Sequence, residues 1–588
     1  MPETLFKDTR YDLSKLIGDI EAGELGLPDI QRPFVWARSK VRDLLDSMYQ
    51  GFPVGYLLLW NAIPDSTART IGGDDKQSVP SRLIVDGQQR LTSLYAVMTG
   101  TAVLTQDFKQ EKIRIAFRPR DGYFSVADAT TEKDPEFLPD VTKVWKSPEH
   151  KVATAFIKGL NDSKPVDEDT EDALRSSISR LVQLRDYPFL AVELGGDADE
   201  EQVAEIFVRI NSGGTPLNEA DFILTLMSVF REKDRRRLEE FARDSRLISP
   251  GPASPFNHLI SPAPDQLLRV AALVGFQRGR LKSVTSMLRG RSADSGAVLS
   301  PAARDKQFDE LSAAIDQVLD LGSWHEFLKV PLRAGYRRST EISSANTLLL
   351  CYAIYLLGRN RFHVDAPVLR SAMARYFFMA SLTGRYTGSF ETAVTRDVQQ
   401  LAAAKDAQQF VDRLHDMVNT VLTSDFWAIT LPSRLGTSSA RSPELFAYSA
   451  ALSLLGAKVL FSELKVSELF DPAVKSTKAP VERHHLFPRA YLIKSGVTDN
   501  RDINQIANMA YLEWSDNIRV SDEAPAVYWP KYADRATQQD RQFHALPDGW
   551  EQMEYQAFLE ARRKLMAGVV RQGFEQLSAV AVAAVPGG

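Results

Sequence analysis

Cysteine is almost missing from this chain, which has one, Cys351, in 588 residues. A lone thiol excludes an intramolecular disulfide and any zinc site built on several thiolates. Its place inside the apolar run Leu348–Leu357 marks it as a core residue. That run is the longest apolar stretch and about half of what a bilayer span needs, and the opening MPETLFKDTR carries no signal-peptide h-region. A soluble, cytoplasmic protein without membrane contact is expected. No Gly-Lys dipeptide occurs anywhere, which excludes a Walker A P-loop. A basic excess is missing too: 71 Lys plus Arg stand against 76 Asp plus Glu, for a net charge of −5. A histone-like coat is thereby excluded, and any DNA contact must come from local patches. What is present is ordinary for a globular protein, 44% hydrophobic and 25% charged, which rules out a wholly disordered or collagen-like chain.

At about 100 to 200 residues per domain the length predicts two to four domains. Residues 1–234 alternate strand-like runs (GYLLLW from Gly55, RLIVD from Arg82, KIRIAF from Lys112, YPFLAVEL from Tyr187) with helical spacings from Ser39, Gln88 and Asp199, each helix ending at a glycine. The pattern predicts an α/β or α+β domain. The acidic stretch Asn161–Asp172 reads as a solvated loop. Strand signals nearly vanish over 235–440, which predicts a helical domain, and the Ser-, Gly- and Pro-dense segment Leu431–Pro443 reads as a linker or ordered loop before a last domain, 441–588. No fixed repeat is evident, and the terminal AVAAVPGG should fray.

The strongest chemical signal is ERHHLFPRAYL (Glu482–Leu492), followed by NMAYLEWSDN (Asn508–Asn517). Neighbours on an extended strand point to opposite sides, so His484 and His485 can divide labour, one imidazole on a metal and the other on a water. That division suits phosphodiester hydrolysis. The alternative is two surface histidines at a strand end. The pattern resembles the HNH, or His-Me finger, nucleases, in which a His-His or Asp-His pair precedes a hydrophobic-x-Pro and a hairpin leads to Asn-x3-Leu-x4-Asn; Asn508, Leu512 and Asn517 fit the spacing. The resemblance implies a ββα-metal fold, with His484 and Asn517 as ligands of Mg²⁺ or Mn²⁺, His485 as general base and Asn508 as the residue that orients the loop. Cysteine pairs that brace many such sites are absent, with Glu513 and Asp516 standing where the second pair would fall, so packing must hold the finger. Arg519 is the nearest basic residue after the second Asn.

A second site is suggested by Asp86-Gly87-Gln88-Gln89-Arg90, where a strand meets a helix. A glycine there permits a tight turn, the helix N-terminus favours an anion, and Arg90 offers a bidentate phosphate donor. Asp86 could hold a metal or orient a water, and Gln88 or Gln89 could position the attacking water. A capped helix with a surface arginine is the plainer alternative. PDIQRPFVW, PVGYLLLW, VDGQQRLTSL and FVRINSGGTPLNEADF occur in the order of the ParB/sulfiredoxin-like domain that opens GmrSD-type restriction proteins. With an HNH-like domain at the other end, the chain resembles a single-polypeptide GmrSD-type type IV restriction endonuclease. The resemblance implies a nucleoside triphosphate (NTP)-hydrolysing N-terminal domain that senses or regulates and a nuclease that cuts foreign, often modified, phage DNA in antiviral defence. By the same resemblance, Asp86, Gly87, Gln88, Gln89 and Arg90 handle the nucleotide beside Gln31 and Arg32. Asn211, Ser212, Gly213 and Gly214 form either a phosphate-approaching loop or a plain helix end.

The expected architecture is therefore multidomain α+β: a ParB-like α/β domain, a helical domain and an HNH domain. The segment Gln277–Ser292 holds Arg278, Arg280, Lys282, Arg289 and Arg291 without an acidic residue, and so offers either a phosphate track or a solvated helix face. Arg235–Arg237, followed by Glu239 and Glu240, reads as paired surface. The rival to an NTP-regulated endonuclease is a non-cleaving, nucleotide-dependent DNA-binding switch with a decayed HNH domain. The preferred NTP, the DNA modification and the state of self-association, including a homo-oligomer, are left open by the residues.

Overall fold

The computed structural model describes residues 6–28, 36–61, 68–69, 80–105, 109–195, 203, 206, 219–248, 253–292, 301–472, 481–513, 516 and 522–582. Gln31, Arg32, most of the helix expected from Asp199, Asn211–Gly214, Asn517 and Arg519 lie outside the described residues. The chain forms two compact units, Met1–Arg235 and Arg236–Gly588. Residues 235–440 and 441–588, expected as separate domains, fall almost wholly within the second.

The first unit is built on a mixed six-stranded sheet. Its strands are β1 (Phe6–Asp12), β2 (Leu25–Pro28), β3 (Leu57–Asn61), β4 (Ala68–Arg69), β5 (Arg82–Asp86) and β6 (Pro188–Leu194), in spatial order β1-β6-β3-β5-β2-β4. Only β6–β3 and β5–β2 pair in parallel, and β3 slips register against β5 between Leu58 and Leu59. β3 is apolar from Leu57 to Trp60 because both faces are covered there. Its side chains alternate: Leu57 and Leu59 join one core with Ile84 from β5, and Leu58 and Trp60 join another with Leu83 and Val85. Helices α1 (Leu13–Ala22), α2 (Arg38–Tyr49) and α3 (Gln88–Thr99) contribute to the first core. A charged seam crosses the unit where Arg82 donates to Asp19 at 2.6 Å and to the Tyr11 hydroxyl at 2.9 Å, Tyr11 donates to buried Glu193, and Lys7 pairs with Glu193 at 2.8 Å. The acidic stretch Asn161–Asp172 is loop only at its centre, residues 164–167. Helix Glu149–Ser163 runs into it and helix Glu168–Val182 starts inside it, capped by Asp167, so its carboxylates sit at a helix N-terminus that favours negative charge.

In the second unit the apolar run around Cys351 forms helix Ala345–Leu356, with Cys351 buried. Helix Ala366–Thr383 packs against helices Leu321–Arg333, Ala407–Val421, Pro443–Leu454 and Tyr555–Val582. Beside it the fully buried Asp397 accepts from Nε and Nη2 of Arg385 (2.7 and 2.8 Å) and from the hydroxyls of Tyr376 and Tyr386 (3.1 and 2.8 Å), which satisfies a charge that burial alone would not tolerate. Two sequence expectations change here. The segment from Leu431 is helical over Leu431–Arg434 before the chain opens into a loop. Arg235, the last residue of the first unit, is not a surface residue: it is 3% exposed and forks onto Glu232 at 2.8 and 3.0 Å.

The C-terminal helix Tyr555–Val582 lies close to helix Pro443–Leu454. A side chain at Gly573 would sit 2.6 Å from the Ala451 methyl, so the approach requires glycine. Near the start of this helix, fully buried Arg562 donates to the carbonyls of Ala507 (2.7 Å) and His544 (3.3 and 3.1 Å). His544 in turn donates from Nε2 to the Lys458 carbonyl at 2.8 Å. Burial pushes His544 down to about 4 from an ordinary 6.5. Between those values the unfolded chain binds a proton that the folded one refuses. Stability from this group is therefore complete above about pH 6.5 and falls as pH drops toward 4, by on the order of 3 kcal/mol. Denaturant midpoints measured from pH 7.5 to 4.5 should show this decline in the wild type and a shallower one in His544→Gln.

Candidate active sites

The histidine pair ends strand β7 (Val481–His485), which pairs antiparallel with β8 (Met509–Glu513), setting His484 opposite Ala510 and His485 opposite Met509. The two imidazoles therefore face opposite sides of a two-stranded ribbon. His484 is 6% exposed and meets the Tyr528 ring edge-on at 6.2 Å, while Tyr528 donates to the Leu486 carbonyl at 2.8 Å. His485 is half-buried, and its Nε2 lies 2.9 Å from Oδ1 of Asn504.

The loop after the histidines is held by Asn508, which is fully buried. Its Oδ1 accepts from the Phe487 N–H at 2.9 Å, its Nδ2 donates to the carbonyls of Phe487 (3.1 Å) and Ile503 (3.0 Å), and its own carbonyl accepts from the Leu486 N–H at 2.8 Å. One amide thus fixes the chain leaving His485 to the chain entering β8. Polar pairs brace the end of β8 and the residues after it. Buried Asp516 takes a bidentate pair from Arg535 at 2.8 and 3.0 Å, and Glu513 accepts from the Ser462 hydroxyl. Asp516 is the immediate neighbour of Asn517, which lies outside the described residues. Among the described residues no three His, Cys, Asp or Glu side chains converge as a metal cage.

In the first unit, β5 delivers Asp86 to the turn and α3 begins at Gln88. Gly87 between them has φ +95°, and a Cβ there would stand 2.4 Å from Leu57 Cδ2, so both conformation and space demand glycine. Asp86 keeps a third of its side chain exposed, Gln88 is buried and Gln89 half-buried. Arg90 was expected to reach for phosphate. Instead Nη1 donates to the Val54 carbonyl at 2.6 Å, and Nη2 donates to the Tyr56 carbonyl at 2.7 Å and to Asp86 at 3.2 Å. The reason is proximity. Gly55, at φ +88°, brings its backbone so close that a Cβ would stand 2.5 Å from Arg90 Nη1. Burial lowers the Arg90 pKa from its ordinary value, with Asp86 acting in the opposite direction.

Residues 13–228 match the family described as GmrSD restriction endonuclease, N-terminal domain. The match spans the sheet from β2 onward, together with the Asp86–Arg90 turn, and leaves out β1. It covers just over a third of the chain. An uncharacterized protein of Methanocaldococcus jannaschii is similar over more of the length, 20% identical in an alignment of 567 positions that covers 89% of this chain and 87% of that protein. Beyond the matched segment, the basic stretch forms helix Leu281–Leu288 with flanking turns; Arg280, Lys282, Arg289 and Arg291 are exposed and Arg278 is half-buried. Among the described residues no helix is long and apolar enough to cross a membrane. Asn504, Tyr555 and Arg562 were not singled out from sequence. Only Asn504, four residues before Asn508, lay close enough to the motif for its position to have been a signal.

Proposed function

We propose that the chain is an NTP-regulated, divalent-metal-dependent DNA endonuclease of the type IV restriction kind, which cuts foreign, modified phage DNA. The observation that carries this reading is the histidine ribbon: His485 stands at the end of β7 with a polar partner, on a loop that Asn508 ties down. The restriction endonuclease named in the description of the family matched by residues 13–228 supports it. In this reading His485 takes a proton from a water as that water attacks the scissile phosphorus. His484 and Asn517 hold the metal, and one imidazole with one amide suits a hard ion that keeps several waters. Bound Mg²⁺ or Mn²⁺ supplies charge stabilisation at the phosphate and the leaving oxygen. Arg278, Arg280, Lys282, Arg289 and Arg291 form the phosphate track. Nucleotide is handled at Asp86, Gly87, Gln88 and Gln89 with Gln31 and Arg32, while Arg90 shapes the turn by holding the Val54–Tyr56 loop.

The direct test incubates plasmid with the full chain, Mg²⁺ or Mn²⁺, and each NTP in turn. Cleavage is expected, and its complete absence with modified and plain DNA alike would favour a non-cleaving switch. His484→Ala and Asn517→Ala should cleave poorly in Mg²⁺ and recover in part at raised Mn²⁺, because what they lose is metal affinity. Recovery of His485→Ala by metal alone would mean that the roles of the two histidines are exchanged.

A further inference from the structure

We infer that Asn504 is the positioning residue for His485: it fixes the imidazole's tautomer and aim from the loop opposite. The inference rests on the nuclease reading above and adds to it a residue that the HNH pattern does not contain. The side-chain oxygen of Asn504 accepts only, so at 2.9 Å the Nε2 of His485 must carry the hydrogen and donate. Nδ1 is then left with the lone pair a general base needs. The same bond stops rotation about the imidazole's last torsion, which is broad when nothing restrains it.

The surroundings show that Asn504 is held as firmly as the ring it faces. It closes the short helix Asn500–Ile503, where its N–H donates to the Asn500 carbonyl at 3.0 Å. The preceding carbonyl, Ile503, accepts from Asn508 Nδ2 at 3.0 Å, and Asn508 grips Phe487, two residues beyond His485. The distance between the two partners is therefore set by one buried amide. From the other side the C-terminal helix holds the same loop: the Tyr555 hydroxyl donates to the Asp502 carbonyl at 2.8 Å and Arg562 to the Ala507 carbonyl at 2.7 Å. Asn504 thus sits between two anchored carbonyls, Asp502 and Ala507, both held from within the protein.

The test is a double-mutant cycle on the full-length protein, with single-turnover cleavage of plasmid as readout and DNA affinity and thermal unfolding measured in parallel. Asn504→Leu keeps the approximate volume and removes the acceptor. It should lower the cleavage rate about 10²-fold, the effect expected of a misaimed catalytic group, with DNA affinity and melting temperature unchanged. Asn504→Asp retains an acceptor oxygen and should stay within about tenfold of wild type, because an acceptor, not a donor, is what the imidazole requires. In the His485→Ala background Asn504→Leu should cost nothing further, because a residue that acts only through the imidazole has no effect once the imidazole is gone. Additive losses in that cycle, or an Asn504→Leu variant as active as wild type, would overturn the inference. An Asn504→Asp variant as impaired as Asn504→Leu would do the same. If His485→Ala itself cleaves normally, it is the nuclease reading that fails, a separate result.

Discussion

His485→Ala is expected to reduce DNA cleavage by roughly 10²- to 10⁴-fold, the range a general base contributes to hydrolysis. The fold should be untouched. The imidazole is half-buried, and the ribbon beneath it is held by the Asn508 amide and the β7–β8 ladder, none of which the substitution alters. NTP hydrolysis, if it takes place in the other compact unit, should proceed at the wild-type rate. Nicking and linearisation of plasmid, scored beside a nucleotide assay on the same preparation, separate these outcomes. Normal nicking by a folded variant would remove His485 from the mechanism.

The second large effect is expected at Arg90, and the structure changes its meaning. A guanidinium that donates to Val54, Tyr56 and Asp86 is a clamp, and truncation leaves two carbonyls and a carboxylate without their donor. Breaking a largely buried charged pair of this kind costs on the order of 3 kcal/mol. For a unit of this size that is roughly 6 to 12 °C of melting temperature. Arg90→Lys should rescue little, because one ammonium cannot span both carbonyls as the planar fork does. The nuclease consequence follows from coupling. If nucleotide at the Asp86 turn biases two states of the protein, cleavage by Arg90→Ala should lose its dependence on NTP. Rates should be compared for wild type and variant, with and without NTP, on modified and plain DNA. Agreement among all four for each substrate, with wild-type NTPase activity present, would mean two independent activities on one chain.

Much of the fold was legible because local chemistry and tertiary packing agree. Strands at RLIVD and YPFLAVEL, and the helix after Gly87, stand where alternation, β-branching and a glycine turn place them. The acidic stretch after Asn161 misled because charge density was read as loop, whereas Asp167 caps a helix and Glu168, Asp169 and Glu171 occupy its first turn. The carbonyl contacts of Arg90 were hidden for a related reason. A short motif reveals which groups are present but not which backbone lies within 3 Å, and the Val54–Tyr56 loop is 34 to 36 residues away in sequence. In the second site the histidines and Asn508 were visible as a spacing. Asn504, Tyr555 and Arg562 were not, because their roles depend on tertiary contacts that no short window contains.

The tether from the C-terminal helix bears on the order in which a newly made chain becomes dangerous. His485 and Asn504 leave the ribosome well before Tyr555 and Arg562, the residues that hold the Asp502–Ala507 loop. A nascent chain therefore displays the histidine ribbon without the helix that stiffens its partner loop. On the nuclease reading, hydrolytic competence arrives late in translation, after the helix has docked against Pro443–Leu454 with Gly573 at Ala451. Products cut short before Tyr555 would carry the histidine motif without the hydrogen bonds that hold its partner loop.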